Sequence, residues 1–358
     1  MQIALAALCV AAAAAVFLVG AWLLIRPRYL LPTPADETHS ARTEDGWDLA
    51  LYRYRPTVPV HGREPVVLCH GMLSNRYNVD LDEEVSLARH LRGRGFDCWV
   101  MELRGHGGSR RTAADGAGNG PFDWTMDDYI RHDLPAAVAH VVGATGSERV
   151  HWFGHSMGGM ILYGHCAMNP APLIRSAVLT DAPASFERLK GRARAGRIYG
   201  KLFPAVPPAL VIPFLTPIVW LLPEVMAPRY GISNRRRMVS LLNNAIIPWG
   251  SSKVLLQICD MLESGRFRSG DGAVDYEEGP GRIEFPLLVI SAGRRRLDEE
   301  VVKCGFTRAA SADKKYVKLS RADGYSTDYT HSNLLVADSS PAEVFPLIAE
   351  WFLQHSSA

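Results

Sequence analysis

The sequence predicts an α/β fold with a mostly parallel central sheet and helices on both of its faces, and three observations predict it. Apolar runs of strand length alternate with stretches whose apolar residues recur at helical spacing, from Val66 to Thr180 and again from Leu287 onward. The stretch Gly154-His155-Ser156-Met157-Gly158 follows the apolar run Val150 to Phe153 and opens the helix-compatible run Met160 to Met168, which reads as strand, sharp turn and helix. A Gly-x-Ser-x-Gly in that setting holds its serine in a strained turn, and the flanking glycines keep side chains out of the crowded crossing of strand and helix. The alternation breaks between about Ser185 and Gly281, as an insertion into the sheet order would break it.

The chain opens on different material. Ile3 to Ile25 carries no charged residue and is long enough to cross a bilayer as a helix, with Arg26 and Arg28 directly after it. An uncharged start and a basic flank behind the apolar run fit an uncleaved anchor better than a cleaved signal peptide. The reading is an N-terminal transmembrane helix over residues 1–28, with the Arg26 side and everything after it in the cytoplasm by the positive-inside rule.

Leu31 to Asp36 follows as a linker, and Asp45-Gly46 predicts the turn of an edge hairpin ahead of the alternating Trp47, Leu49 and Leu51. Val66 to Cys69 reads as a buried strand; Val85, Ala88 and Leu91 share a helical face, and Cys98 to Leu103 is the next strand. Thr125 with Asp128 forms a capping-box-like start for a helix carrying Ile130, Leu134, Val138 and Val141, which Pro135 kinks or restarts. Ala177 to Thr180 is a further strand ending at Asp181.

Residues 185–281 read as a cap inserted between the two parts of the core, 29–184 and 282–358. The cap holds a basic stretch (Lys190, Arg192, Arg194, Arg197, Lys201) and then the apolar Phe203 to Ala227, whose prolines at 204, 207, 208, 213, 217 and 223 would break a lone spanning helix. Strands return at Leu287 to Ser291 and Tyr316 to Leu319, with a helix from about Leu297 between them. The final helix has Ser340 as N-cap, Pro341 at the first helical position and Glu343 three residues after the cap.

A length of 358 residues suggests roughly two domains, or one large α/β domain with an insertion, and the net charge of +2 argues against a nucleic-acid or other polyanion partner. The six cysteines are scattered without Cys-x-x-Cys spacing, so neither a metal site nor a disulfide framework is indicated, and no cofactor motif is present.

Four pieces together resemble the α/β-hydrolase family over Trp47 to Leu353: the strand leading into His70-Gly71-Met72, the loop Arg104-Gly105-His106-Gly107-Gly108-Ser109, the serine turn itself, and His331 before the C-terminal helix. Within that family, Asp127-Asp128-Tyr129 through Asp133-Leu134-Pro135-Ala136 resembles the acid (gastric and lysosomal) lipases. The resemblance implies Ser156 as nucleophile, His331 as its base, and the main-chain N–H groups of Met72 and Met157 as oxyanion donors.

The sequence departs from the family at the third member of the triad. Where the family places an aspartate after the strand Leu287 to Ser291, this chain reads Gly293-Arg294-Arg295, and an arginine cannot accept a hydrogen bond. Two carboxylates can replace it. Asp181 ends the preceding strand, in a Thr180-Asp181-Ala182-Pro183 turn that resembles pancreatic-type lipases; Asp298 lies nearer the usual place but also looks like a helix cap. The expected function is a membrane-anchored serine hydrolase cleaving a lipid or other apolar carboxylic ester through an acyl-enzyme. An acyltransferase would share the same sequence, and the missing acid leaves a scaffold without turnover as a different class of reading.

Overall fold

The computed structural model describes residues 34–357 except 59, 61, 112–122, 170–171, 192–229, 245–250 and 295–297; before residue 34 it describes only scattered helical positions between Cys9 and Leu24. The expected anchor helix, the apolar part of the cap and Arg295 therefore lie largely outside the described residues. Among those residues, no helix is long and apolar enough to cross a membrane.

Strands β1 (Glu37–Arg42), β2 (Trp47–Tyr54), β3 (Val66–Cys69), β4 (Cys98–Met101), β5 (Arg110–Arg111), β6 (Val150–His155), β7 (Ile174–Thr180), β8 (Leu287–Ala292) and β9 (Lys314–Leu319) form one sheet. Its order is β1-β2-β4-β3-β6-β7-β8-β9, with β5 paired to β2. Pairing is parallel from β4 through β9 and antiparallel around β2. The Asp45-Gly46 hairpin is present, and Gly46 takes φ 89°, which its missing side chain permits. Only β1 is an edge strand there; β2 lies between β1 and β4, because the sheet continues through it.

The central strands are buried on both faces, which is why Val-Val-Leu-Cys in β3 and Cys-Trp-Val-Met in β4 carry no polar residue. The helices are α1 (Leu87–Gly93), α2 (Leu134–Thr145), α3 (Met157–Met168), α4 (Arg235–Asn244), α5 (Ser252–Ser264), α6 (Glu299–Arg308), α7 (Ser340–Glu343) and α8 (Phe345–Gln354). Val67, Cys69, Met101 and Trp152 pack with residues of α2, α3 and α6, whereas Val66, Leu68, Val100 and Phe153 pack with α1 and α8 on the opposite face. Alternate residues of one strand thus serve two cores.

Two helices differ from the sequence expectation. The helix ahead of Pro135 is a single α turn (Met126–Asp128) followed by a π turn, Tyr129–Asp133, so Pro135 sits in the first turn of α2, where its missing N–H is harmless. The last helix is two, because Pro346 starts α8 anew after α7; Ser340 is the first residue of α7 rather than its cap. Glu343 consequently does not cap α7 but accepts hydrogen bonds from Ser326 N–H and Tyr329 Oη–H.

The Asp127-to-Asp133 stretch joins core and cap. Asp127 accepts hydrogen bonds from Gln257, Gly270 and Tyr276, all in the insertion, while Asp128 accepts the Thr125 N–H at 2.7 Å and completes the expected cap. The π turn delivers Asp133 to buried Arg104, whose main-chain N–H and guanidinium it accepts at 2.8 and 2.7 Å; the same guanidinium reaches Asp45 in the hairpin. Among the described residues no named strand lies between Thr180 and Leu287.

Candidate active site

Strand β6 ends at His155 and α3 begins at Met157, leaving Ser156 alone in the turn with φ 54° and ψ −113°. The turn is pinned on both sides: Ser156 N–H donates to Thr180 O at 2.9 Å, and Ser156 O accepts from Gly159 and Met160 N–H. Side chains are excluded as the pentapeptide implies. A Cβ on Gly154 would stand 2.6 Å from the Gly158 carbonyl, and one on Gly158 would stand 2.7 Å from Cys69 O. The main chain of β3 and the first turn of α3 can approach only because that space is empty.

The Met157 N–H is the first of α3 and belongs to the donors an α-helix leaves without an intrahelical acceptor. Met72 lies across from it in the turn after β3, and both line one cavity with Ser156. His70 fixes that turn. Its Nε2 accepts the Leu103 N–H at 3.3 Å, so the proton sits on Nδ1, which donates to Gly71 O at 2.8 Å. Burial pulls the His70 imidazole down to about 3 and that of neighbouring His106 to about 4, so both are neutral fixtures rather than proton carriers.

His331 follows β9 in a loop shaped by Asn333, whose side-chain oxygen accepts the Thr330 N–H at 2.7 Å. His331 Nδ1 lies 2.6 Å from Asp181 Oδ2. A carboxylate only accepts, so Nδ1 carries the proton, and in the neutral imidazole that leaves the lone pair on Nε2. Asp181 Oδ1 accepts the Ala292 N–H at 3.1 Å. Burial pushes the Asp181 carboxyl up, but the hydrogen bond and charge of His331 together with the Ala292 N–H hold it below the ordinary carboxylate value.

Asp298 stands elsewhere. It caps α6 by accepting the Glu300 N–H at 3.1 Å and lies 3.8 Å from Arg188, the helix-start role that Asp298-Glu299-Glu300 suggests by itself. Of the two carboxylates the sequence left open, Asp181 is the one beside His331. Among the described residues the non-glycine positions with positive φ are Leu73, Ser156 and Asp181, all at this site. Strain concentrated in this way is a mark of functional geometry.

Ser156 and His331 open into a cavity of about 600 Å³. Its far walls are apolar, from Met160 of α3 and from Phe186, Leu189, Tyr230, Leu241, Ile258 and Leu262 of the 185–281 stretch. The insertion residues could not be assigned to the site from sequence, because no periodicity links a cap helix to a strand end. His155 adds an unexpected contact: its ring stacks against that of His331 with centroids 4.9 Å apart, and its Nδ1 lies 3.1 Å from Thr180 Oγ1.

Among the described residues, one group could approach a metal ion together: Asp45, Asp128 and His132. Both carboxylates are already engaged, by the Arg104 guanidinium and by Thr125, so nothing there selects for a cation.

Residues 64–198 match the family described as alpha/beta hydrolase fold. The chain is 34% identical over 142 residues to human lysosomal acid lipase/cholesteryl ester hydrolase, covering 38% of this chain and 35% of that protein. It is 32% identical over 142 residues to mouse gastric triacylglycerol lipase, covering 38% and 36%. The matched stretch spans about a third of the length of these curated relatives. Among solved structures, the monoacylglycerol lipase of Paleococcus ferrophilus superposes with a TM-score of 0.55 at 18% identity, covering 86% of this chain and 99% of that one. The fold is the α/β-hydrolase fold, and the chain resembles the acid lipases over the matched residues.

Proposed function

From the α/β-hydrolase fold and the likeness to acid lipases, we propose that this protein hydrolyses carboxylic esters with an apolar acyl group through a serine acyl-enzyme. The observation that carries the reading is the convergence of strained Ser156 and His331 on one cavity, with Asp181 hydrogen-bonded behind the imidazole. Ser156 Oγ attacks the ester carbonyl carbon while His331 Nε2 takes the hydroxyl proton. The same nitrogen then returns that proton to the departing alcohol. Asp181 holds the Nδ1–H tautomer and stabilises the imidazolium, and the Met72 and Met157 N–H groups take up the oxyanion charge. Water, activated by His331, releases the acid. No step calls for a metal or organic cofactor.

The apolar cavity walls favour an acyl chain over a polar acyl group. The carboxylate missing after β8 is what suggested a scaffold without turnover; Asp181 beside His331 supports the enzyme reading instead. Residues 1–28 are proposed as a membrane anchor with the hydrolase domain cytoplasmic. The support is the uncharged run Ile3 to Ile25, within which helical Val10, Val16, Phe17 and Leu24 are each at least 70% exposed. Carbonate extraction of membranes tests the anchor, and release of the chain into the soluble fraction would overturn it.

A fluorophosphonate probe tests the chemistry. The wild type is expected to be labelled and to cleave an ester panel, and Ser156→Ala is expected to remove both signals while keeping the fold. A wild type that is neither labelled nor active sinks the hydrolase reading.

A further inference from the structure

The geometry points to Arg237 as a positioning residue that governs which acyl chains the cavity accepts. This inference rests on the ester-hydrolase reading above. Arg237 lies on α4 in the insertion, with its side chain only 6% exposed, and is not itself a cavity residue. Its guanidinium divides among three carboxylates: Nε to Asp82, one terminal nitrogen to Glu84 at 2.6 Å, and the other to Asp338 at 2.6 Å. Asp338 also accepts from Ser233 N–H and Oγ–H at 2.7 and 2.5 Å, and its own N–H donates to Gly231 O.

The three segments that meet at this guanidinium are three that build one wall of the cavity. The segment ending at Asp82 and Glu84 contributes Ser74 and Asn78; the segment ending at Asp338 contributes His331, Ser332 and Val336; and the stretch around α4 contributes Tyr230 and Leu241. Buried Ile232 and Met238 press the same stretch onto the core below. Apolar packing thus holds the cap segment down, but it has no directional preference. The register of Tyr230 and Leu241 against the His331 loop is set by the charged hub.

Only arginine suits this hub. Its planar fork reaches separate carboxylates in fixed directions, which the single ammonium of lysine cannot do. A neutral side chain would leave the half-buried Asp82 and Asp338 without their shared cation, so the wall would part, while exposed Glu84 adds little. Ser156 and Asp181 sit on turns after β6 and β7 and would keep their places, and Asp181 retains His331 through its own 2.6 Å hydrogen bond, so it is Tyr230 and Leu241 of the insertion that shift. The outcome is a selective loss: long acyl chains that need the wall suffer, and short ones much less.

The test is kcat and KM on p-nitrophenyl esters from acetate to dodecanoate, for wild type, Arg237→Gln, Arg237→Lys and Asp338→Asn, with thermal unfolding followed in parallel. Arg237→Gln is expected to raise KM for the long esters about tenfold relative to acetate, within the range one lost pocket contact produces. Arg237→Lys should recover part of that loss, and Asp338→Asn should show the same chain-length dependence more weakly. A merely structural arginine would lower stability and depress every ester equally, and that result overturns the proposal. If Arg237→Gln does not fold, the other two variants decide: a chain-length profile identical to wild type in both overturns it. Fluorophosphonate labelling of the wild type separates the two levels. A labelled enzyme whose variants keep the wild-type profile removes the role of Arg237 alone, whereas an unlabelled, inactive wild type removes the hydrolase reading and this inference with it.

Discussion

His331 and Asp181 meet at 2.6 Å although they come from strand ends that are not neighbours: Asp181 closes β7, His331 follows β9, and β8 lies between them. Two strand spacings are roughly 10 Å, so the histidine loop must reach back across the end of β8. The chain clears the way there. Gly293, just past β8, lies so close to Leu319 and Ser320 that a Cβ would collide with their main chain. Asp181 in turn adopts φ 49°, a conformation aspartate tolerates better than most residues, and this directs its carboxylate toward both Ala292 N–H and His331.

This geometry separates the two acid candidates experimentally. Asp181→Asn is expected to lower turnover by roughly 10⁴-fold with the fold intact, since the amide lets the imidazole settle in the wrong tautomer. Asp298→Asn should change neither turnover nor stability appreciably, because asparagine caps a helix about as well as aspartate and the Arg188 contact is exposed. Steady-state kinetics with thermal melts on both variants check the pair. Equal losses would remove Asp181 from its role.

His155 supplies a second measurement at the same place. Its buried ring stacks on His331, and its Nδ1 has Thr180 Oγ1 as partner. Thr180→Val keeps the shape and removes that hydroxyl partner, so a loss of about 0.5–1.5 kcal/mol in unfolding free energy is expected by chemical denaturation. An unchanged midpoint would mean the contact contributes nothing.

The histidines also fix the direction of the pH dependence. Burial holds His70, His151 and His155 at about 3 and His106 at about 4, all below the unfolded value near 6.5. Between those limits the unfolded chain binds more protons than the folded one, so stability rises with pH. It is complete above about 6.5 and falls on acidification, with each group contributing up to about 1.4 kcal/mol per pH unit. Asp181, held low by His331, works in the same direction at more acid pH, since its contribution is lost as pH falls through its folded value. Denaturation midpoints at pH 7 and pH 5 are expected to differ with the lower at pH 5; a protein more stable at pH 5 would contradict the burial argument.

Much of this was legible in the sequence because buried parallel strands leave an unmistakable apolar run, as in Val66 to Cys69, and because Gly154 is demanded by atoms within its own strand–turn–helix unit, whereas Gly158 answers to the main chain of β3, a distant segment. The site was less legible wherever distant segments meet. Asp181 and Asp298 are both carboxylates near strand ends, and only the path of the His331 loop over β8 distinguishes them. Pro346 splits the last helix, and the π turn Tyr129–Asp133 precedes α2; neither disturbs the apolar spacing from which helices are read. Tyr230 and Leu241 reach the cavity only through the docking of the insertion.

That docking yields the last prediction, at Asp127. Its Oδ1 accepts from Gln257 Nε2 at 2.6 Å and Tyr276 Oη at 2.8 Å, while Oδ2 accepts from Gly270 N–H at 2.8 Å. Three donors from the insertion thus converge on one core carboxylate. Asparagine has the same shape but only one accepting oxygen. If that oxygen faces Gln257 and Tyr276, the amide nitrogen confronts the Gly270 N–H, donor against donor; flipped, it confronts the other two. Asp127→Asn is therefore expected to cost about 1–3 kcal/mol, and Asp127→Ala a comparable amount. Because the lost contacts join insertion to core, limited proteolysis should cut the variants between Ser252 and Tyr276 faster than the wild type. Destabilisation without any change in cleavage there would show that α5 and the following loop stay docked through apolar contacts such as Val254 and Met261 alone.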